Sequence, residues 1–429
     1  MASSVKDRIQ LTPTRSCSSA LPEGPWEFDA MPGYGPGSSQ TDPAPAHTPT
    51  NGTSRPNQLP EAYRQMEEAE LHERIRSAKE ALGERLVILG HFYQRDEVVQ
   101  HADFVGDSFQ LAQAALTKPD AQSIVFCGVH FMAETADILS SEDQQVILPN
   151  LAAGCSMADM ADEDSVEEAW EEIAEFYGFD PENPEPDAEG KLPVLPVTYM
   201  NSSAALKAFC GRLGGIVCTS SNAATVLEWA FERAHRVLFF PDQHLGRNTA
   251  KAMGIALENM PMWNPRLPWG GNTADDLKQA QVLLWHGFCS VHKRFTVDQI
   301  DQAREQFPGC RVIVHPECPM PVVDAADASG STDAIRKFVE ASSPGDVIAV
   351  GTEINMVNRL AADYPDREIF CLDPVICPCS TMYRIHPGYL AWVLDSLVAG
   401  QVENRISVPE GTAVEARVAL DRMLAAKPR

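Results

Sequence analysis

The sequence predicts an α/β fold built from several small parallel sheets in three-layer α/β/α units. Two observations carry this reading. Short apolar runs of strand length alternate with amphipathic stretches of helical length, and polar residues gather directly after the apolar runs. The runs are short and grouped, which favours several sheets over one large one. In open α/β sheets ligands bind beyond the carboxyl ends of the strands, so the polar clusters double as candidate site segments.

The elements follow in order. Glu61 to Leu82 mixes charged and apolar residues at helical spacing, and Gly83 is a suitable stop. Leu86 to Leu89 is a buried-strand run that ends at His91-Phe92-Tyr93-Gln94. Ser123 to Phe126 leads into Cys127-Gly128, and Val194 to Thr198 into Tyr199-Met200-Asn201. Gly215 to Val217 leads into Cys218-Thr219-Ser220-Ser221-Asn222, and Val237 to Phe240 into Pro241-Asp242. Val312 to Val314 leads into His315-Pro316-Glu317-Cys318, and Val347 to Val350 into Gly351-Thr352-Glu353. Helical stretches between them include Ala223 to Ala234, Thr296 to Gln306 and Ser331 to Ala341.

A chain of 429 residues exceeds one ordinary core and predicts two or three domains. Residues 1–60 hold ten of the 32 prolines with much Ser, Thr and Gly, and read as a disordered tail. Asp162 to Glu189 is acidic, without Lys or Arg, and reads as a surface insertion and linker.

The formal charge of −26 argues against nucleic acid and anionic membranes as partners. An anionic substrate would then need backbone N–H groups, hydroxyls, histidines or a metal cation. No run approaches the roughly 18–20 apolar residues of a membrane span, and no basic-then-apolar segment opens the chain. A cytoplasmic location is expected. The eleven cysteines are an odd number, which predicts free thiols in a reducing compartment with a subset as metal ligands.

Cys127, Cys155, Cys218, Cys289, Cys318, Cys377 and Cys379 lie beside polar or turn-like sequence. They form no pair-and-pair zinc pattern; Cys377-Pro378-Cys379 is the one close pair. Their spacing permits a centre built from distant cysteines, one from each domain. Cys210, Cys310 and Cys371 read as structural, and Cys17 lies in the tail.

The longer phrases go further. His91-Phe92-Tyr93-Gln94 precedes Ala102-Asp103-Phe104-Val105-Gly106-Asp107-Ser108, then Cys127-Gly128-Val129-His130-Phe131-Met132-Ala133-Glu134-Thr135, then Gly154-Cys155. Tyr199-Met200-Asn201-Ser202, Cys218-Thr219-Ser220-Ser221-Asn222, Pro241-Asp242, Gly287-x-Cys289-x-Val291-His292, His315-Pro316-Glu317-Cys318, Gly330-Ser331-Thr332 and Gly351-Thr352-Glu353 follow. In this order, from about Leu71 to about Leu424, the series resembles the quinolinate synthase family.

The resemblance implies three similar α/β/α sandwich domains around a pseudo-threefold axis, with a [4Fe–4S] cluster in a central cavity. The expected division is a first α/β domain over 61–160, the acidic insertion over 161–190, a second domain over 191–290, a third over 291–376, and a cluster loop with C-terminal helices over 377–429. It implies Cys155, Cys289 and one of Cys377 or Cys379 as ligands; the pattern Cys-Pro-Cys-x-x-Met, ending at Met382, assigns Cys379 with Cys377 as the alternative. A longer Cys-x-x-Cys-x-x-Cys run found in some members is absent here.

The implied reaction condenses iminoaspartate with dihydroxyacetone phosphate to quinolinate, in NAD biosynthesis. His91, Ser108, Tyr199, Asn201, Ser220, His315, Glu317, Ser331 and Thr332 are the implied substrate-binding residues, and Tyr93, Glu317, His91 and His315 the implied catalytic ones. A carboxylate and a phenol suit the proton transfers of ring formation. A transient contact with an aspartate oxidase, the source of iminoaspartate, is a further expectation. Two other readings stand beside it: an iron–sulfur hydro-lyase acting on a small hydroxy acid, and a non-enzymatic zinc or redox-sensing protein.

Overall fold

The computed structural model describes residues 58–375 and 378–427; the expected tail as far as residue 57, and Cys377, lie outside the described residues. The first expected helix divides into Glu61–Arg64 and Glu68–Leu82. The second piece buries Leu71, Ile75, Ala78 and Leu82, one stripe at helical spacing, and packs on the helix Pro387–Val398. Gly83 ends it at φ 54°, a conformation that costs glycine little.

Three sheets follow in chain order. The first contains β1 (Leu86–His91), β2 (Phe104–Gly106), β3 (Ser123–Cys127) and β4 (Gln145–Ile147). The second contains β5 (Leu195–Tyr199), β6 (Ile216–Cys218), β7 (Val237–Phe240), β8 (Met262–Trp263) and β9 (Val282–Trp285). The third contains β10 (Arg311–Val314), β11 (Ala328–Ser329), β12 (Val347–Gly351) and β13 (Glu368–Cys371). The last strand, β14 (Arg405–Ile406), returns to pair antiparallel with β4; every other pairing is parallel.

The same order recurs: β2-β1-β3-β4, β6-β5-β7-β9 and β11-β10-β12-β13. Parallel strands need crossovers, here mostly short helices, so each unit folds as a strand–helix alternation. The expected strand runs match β1, β3, β5, β6, β7, β10 and β12 to within a residue or two at each end. The strands β2, β4, β8, β11 and β14 have only two or three residues each, too few to display a period.

One apolar cluster runs through the first two sheets, and two smaller clusters cover the faces of the third. The C-terminal helix Glu410–Ala425 packs closely on Ala204–Arg212, where a Cβ on Gly211 would come 1.9 Å from the Glu415 carbonyl oxygen. The acidic stretch carries the helix Glu163–Tyr177, which buries Val166, Ala169, Trp170 and Ile173. Its acidity is that of the outer face of an amphipathic helix. Among the described residues no helix is long and apolar enough to cross a membrane.

Candidate active site

The carboxyl ends of the strands converge on one cavity. Corresponding strands bring corresponding chemistry. The tips of β1, β5 and β10 present His91 and Tyr93, Tyr199 and Asn201, and His315 and Glu317. The turns after β2, β6 and β11 present Ser108, Ser220 and Thr332, each just before or within the first turn of a nine-residue helix. The loops after β4 and β9, and the segment beyond β13, present Cys155, Cys289 and Cys379.

A continuous polar network crosses the cavity wall. Tyr199 Oη donates to Glu317 Oε1 at 2.7 Å, and Glu317 Oε2 lies 2.7 Å from His292 Nδ1. His292 Nε2 is 3.1 Å from Thr352 Oγ1, which is 2.7 Å from Tyr93 Oη. Burial works to raise the Glu317 carboxyl. The facing His292 and His315 rings and the hydrogen bonds from His292 and Tyr199 outweigh it and hold Glu317 well below the usual carboxylate range. Burial, reinforced by the Glu317 charge, pushes the Tyr93 and Tyr199 phenols well above their ordinary value, so both are protonated donors at neutral pH.

The two sequence pairs His91-x-Tyr93 and His315-x-Glu317 form the same small turn. The amide of the third residue donates to Nδ1 of the histidine, at 3.1 Å from Tyr93 N and 3.3 Å from Glu317 N. Burial lowers both imidazoles to about 3, so both are neutral. With Nδ1 accepting, the proton sits on Nε2, and each ring is left with one N–H donor for a ligand.

Three thiols share the cavity. Burial pushes Cys155 up to about 12, Cys289 well above its ordinary value, and Cys379 upward, and each of Cys155 and Cys289 is raised further by Cys379. Buried, mutually repelling thiolates are costly unless a cation compensates them. Cys289, His292 and Glu317 also place a ligand atom each within 4.8 Å of one another. The donor set therefore fits a metal centre rich in sulfur, and among the described residues no fourth cysteine lines the cavity.

Among the described residues no Lys or Arg lines it either. Positive potential comes from the N-termini of Ser108–Leu116, Ala223–Phe231 and Thr332–Glu340, whose amides and partial positive ends suit an anion. Among the described residues Asn201 Oδ1 and Thr332 Oγ1 have no hydrogen-bond partner though buried, an expense that a polar ligand would relieve.

Of the residues expected from sequence, His91, Tyr93, Ser108, Tyr199, Asn201, Ser220, His315, Glu317, Thr332, Cys155, Cys289 and Cys379 line the cavity. Ser331 does not: its hydroxyl accepts from Ala334 N and caps the helix Thr332–Glu340. Cys127, Cys210, Cys218 and Cys318 are fully buried in the core. Asp107 caps the helix Ser108–Leu116, and Glu134 accepts from Ala204 N. Sequence reasoning missed His292 and Thr352 as members of the network. His292 stands three residues after Cys289 in a phrase read only for its cysteine, and Thr352 had no signal beyond its position after a strand.

Fold and cavity define a class: an α/β protein with a buried carboxylate–imidazole–phenol network beside three buried thiols. The family model described as quinolinate synthetase A protein matches residues 73–425, and the chain belongs to that family. It is 68% identical over 395 residues to the quinolinate synthase of Corynebacterium glutamicum, covering 92% of this chain and 96% of that protein. It is 49% identical to the quinolinate synthase of Rhodopirellula baltica (89% and 98% covered) and 52% identical to that of Geobacillus kaustophilus (86% and 97% covered).

Proposed function

We propose that the chain catalyses condensation of iminoaspartate with dihydroxyacetone phosphate to quinolinate, releasing phosphate and two waters, as a step of NAD biosynthesis. The reaction needs no net oxidant, only proton removal, proton delivery and charge neutralisation. The observation that carries the reading is the Tyr199–Glu317–His292–Thr352–Tyr93 network set beside three thiols.

Cys155, Cys289 and Cys379 would hold a [4Fe–4S] cluster. Three thiolates leave one iron of a cubane open, and when bound it supplies a Lewis acid for a substrate hydroxyl or carboxylate. The remaining work falls to the chain. His91 and His315 each offer an Nε2–H to a carboxylate or carbonyl oxygen. Thr332, Ser108, Ser220 and the helix amides hold anionic groups, with Asn201 as a further partner. Glu317 orients His292, so that a proton can pass between substrate, Tyr199, Glu317, His292, Thr352 and Tyr93 without water. Tyr93 is the protonated end of this path and Glu317 its ionised member.

A cytoplasmic setting is supported by the odd cysteine count, which fits free thiols in a reducing compartment. A transient contact with an aspartate oxidase would shorten the exposure of unstable iminoaspartate to water; a reciprocal pull-down that stays empty counts against it.

The test is anaerobic. Protein purified without air and carrying iron and sulfide is expected to form quinolinate only when both substrates are present. Dehydration of a single hydroxy acid without the three-carbon phosphate would replace this reading with a hydro-lyase.

A further inference from the structure

The third strand of each sheet, β3, β7 or β12, ends beside the cysteine loop of the same sheet. After β7 stands Asp242, and after β12 stands Glu353; both are fully buried. Each splits its carboxylate in the same manner. Asp242 Oδ1 accepts from Leu245 N at 2.6 Å, capping Gln243–Ala252, while Oδ2 accepts from Cys289 N at 3.2 Å. Glu353 Oε2 accepts from Asn355 N at 2.8 Å, capping Ile354–Asp363, while Oε1 accepts from Cys379 N at 3.2 Å.

The two grips are built differently around this shared core. At Asp242 the backbone joins in: Gln243 N donates to the Gly287 carbonyl at 3.0 Å, and a Cβ on Gly287 would come 2.3 Å from the Pro241 carbonyl oxygen. At Glu353 the side chain of Asn355 donates a second bond to Oε1, at 3.0 Å. The first sheet has Val129 in the corresponding place, and there the main chain acts instead, His130 N donating to the Ala153 carbonyl at 2.8 Å.

We propose that Asp242 and Glu353 are positioning residues that hold the Cys289 and Cys379 loops in metal-binding geometry by fixing the backbone amides of the two ligand cysteines. This rests on the reading of Cys289 and Cys379 as ligands. Groups that orient ligands are as much a part of a metal site as the ligands. A carboxylate is required here because both of its oxygens accept from N–H groups. An amide of the same shape satisfies one and turns an N–H₂ against the other. Loss of the grip frees the cysteine amide to turn toward sulfur, and hydrogen bonds to sulfur are one of the terms that set a cluster potential.

The experiment uses the anaerobically purified holoenzyme and its variants Asp242→Asn and Glu353→Gln. Asp162→Asn is the control: Asp162 caps the helix Glu163–Tyr177 through Ser165 N. Iron release to a chelator and the midpoint potential of the cluster are measured. Both carboxylate variants are expected to release iron about tenfold faster than the parent, with the potential moved upward, while Asp162→Asn keeps the parent's rate and potential. Should an amide variant fail to fold, Glu353→Asp keeps a carboxyl cap, shortens the reach to Cys379, and carries the same expectation. Parent rates and potentials in the folded variants overturn the proposal, as does an equal change in Asp162→Asn. Cys289→Ser and Cys379→Ser run alongside. If these keep full iron, the ligand reading has failed and the positioning role with it. If they lose iron while the carboxylate variants behave as the parent, only the positioning role is overturned.

Discussion

Tyr199 donates its phenolic proton to Glu317 across 2.7 Å, from the tip of β5 in the second sheet to the turn after β10 in the third. The bond joins two units of the fold through the reacting cavity. Glu317→Gln keeps the shape and removes the charge that orients His292. Its kcat is expected to fall by about a hundredfold or more, within the range of general acid–base groups, with a smaller change in KM. Steady-state kinetics on protein of equal iron content checks this.

Thr352 Oγ1 bridges His292 and Tyr93 at 3.1 and 2.7 Å, shorter steps than the direct 3.3 Å contact between His292 Nε2 and Tyr93 Oη. Thr352→Val preserves volume and removes the connecting hydroxyl. The expected result is a kcat about tenfold lower, with Thr352→Ser restoring most of the rate, since only the hydroxyl is needed for the relay. Equal losses in both variants would point to packing instead.

Thr332 Oγ1 is buried and has no hydrogen-bond partner among the described residues. Thr332→Val is therefore expected to leave thermal stability unchanged or slightly higher, because no native hydrogen bond is lost. KM for a substrate is expected to rise by about tenfold, the worth of one hydrogen bond to a charged group. Melting curves and kinetics on the same preparation separate the two effects.

His91 and His315 are neutral in the folded protein, with burial lowering both to about 3. Unfolded, a histidine titrates near 6.5. Between those values the unfolded chain binds more protons than the folded one, so stability is complete above about 6.5 and is lost as pH falls toward 3. Melting temperature is expected to drop steadily from pH 7 to pH 5, and His315→Gln to flatten that slope.

Gly211 admits the backbone of the C-terminal helix, and a Cβ there would overlap Glu415. Gly211→Ala is expected to destabilise by about 1–3 kcal/mol through forced backbone shifts. Folded protein should retain near-parent activity, since the contact is outside the cavity. Denaturant unfolding measures the first and a specific-activity assay the second.

The α/β class, the parallel strands at β1, β5, β7, β10 and β12, and the polar tips after them were all legible in the chain. Alternating apolar runs and helical stretches are local patterns, and a local pattern survives in one dimension. The residues at those tips were legible for the same reason: His91, Tyr93, Tyr199, His315 and Glu317 follow directly on apolar runs that had to be buried. Which of these touch was decided only by tertiary structure. Tyr199 and Glu317 lie 118 residues apart, and Tyr93 and Thr352 lie 259 apart. No periodicity encodes such distances, because they depend on how three sheets pack. The burial of the helix within the acidic stretch and the grip of Asp242 and Glu353 on two cysteine amides belong to the same category. Each follows from a hydrogen bond or buried face supplied by a neighbour that only the folded chain brings near.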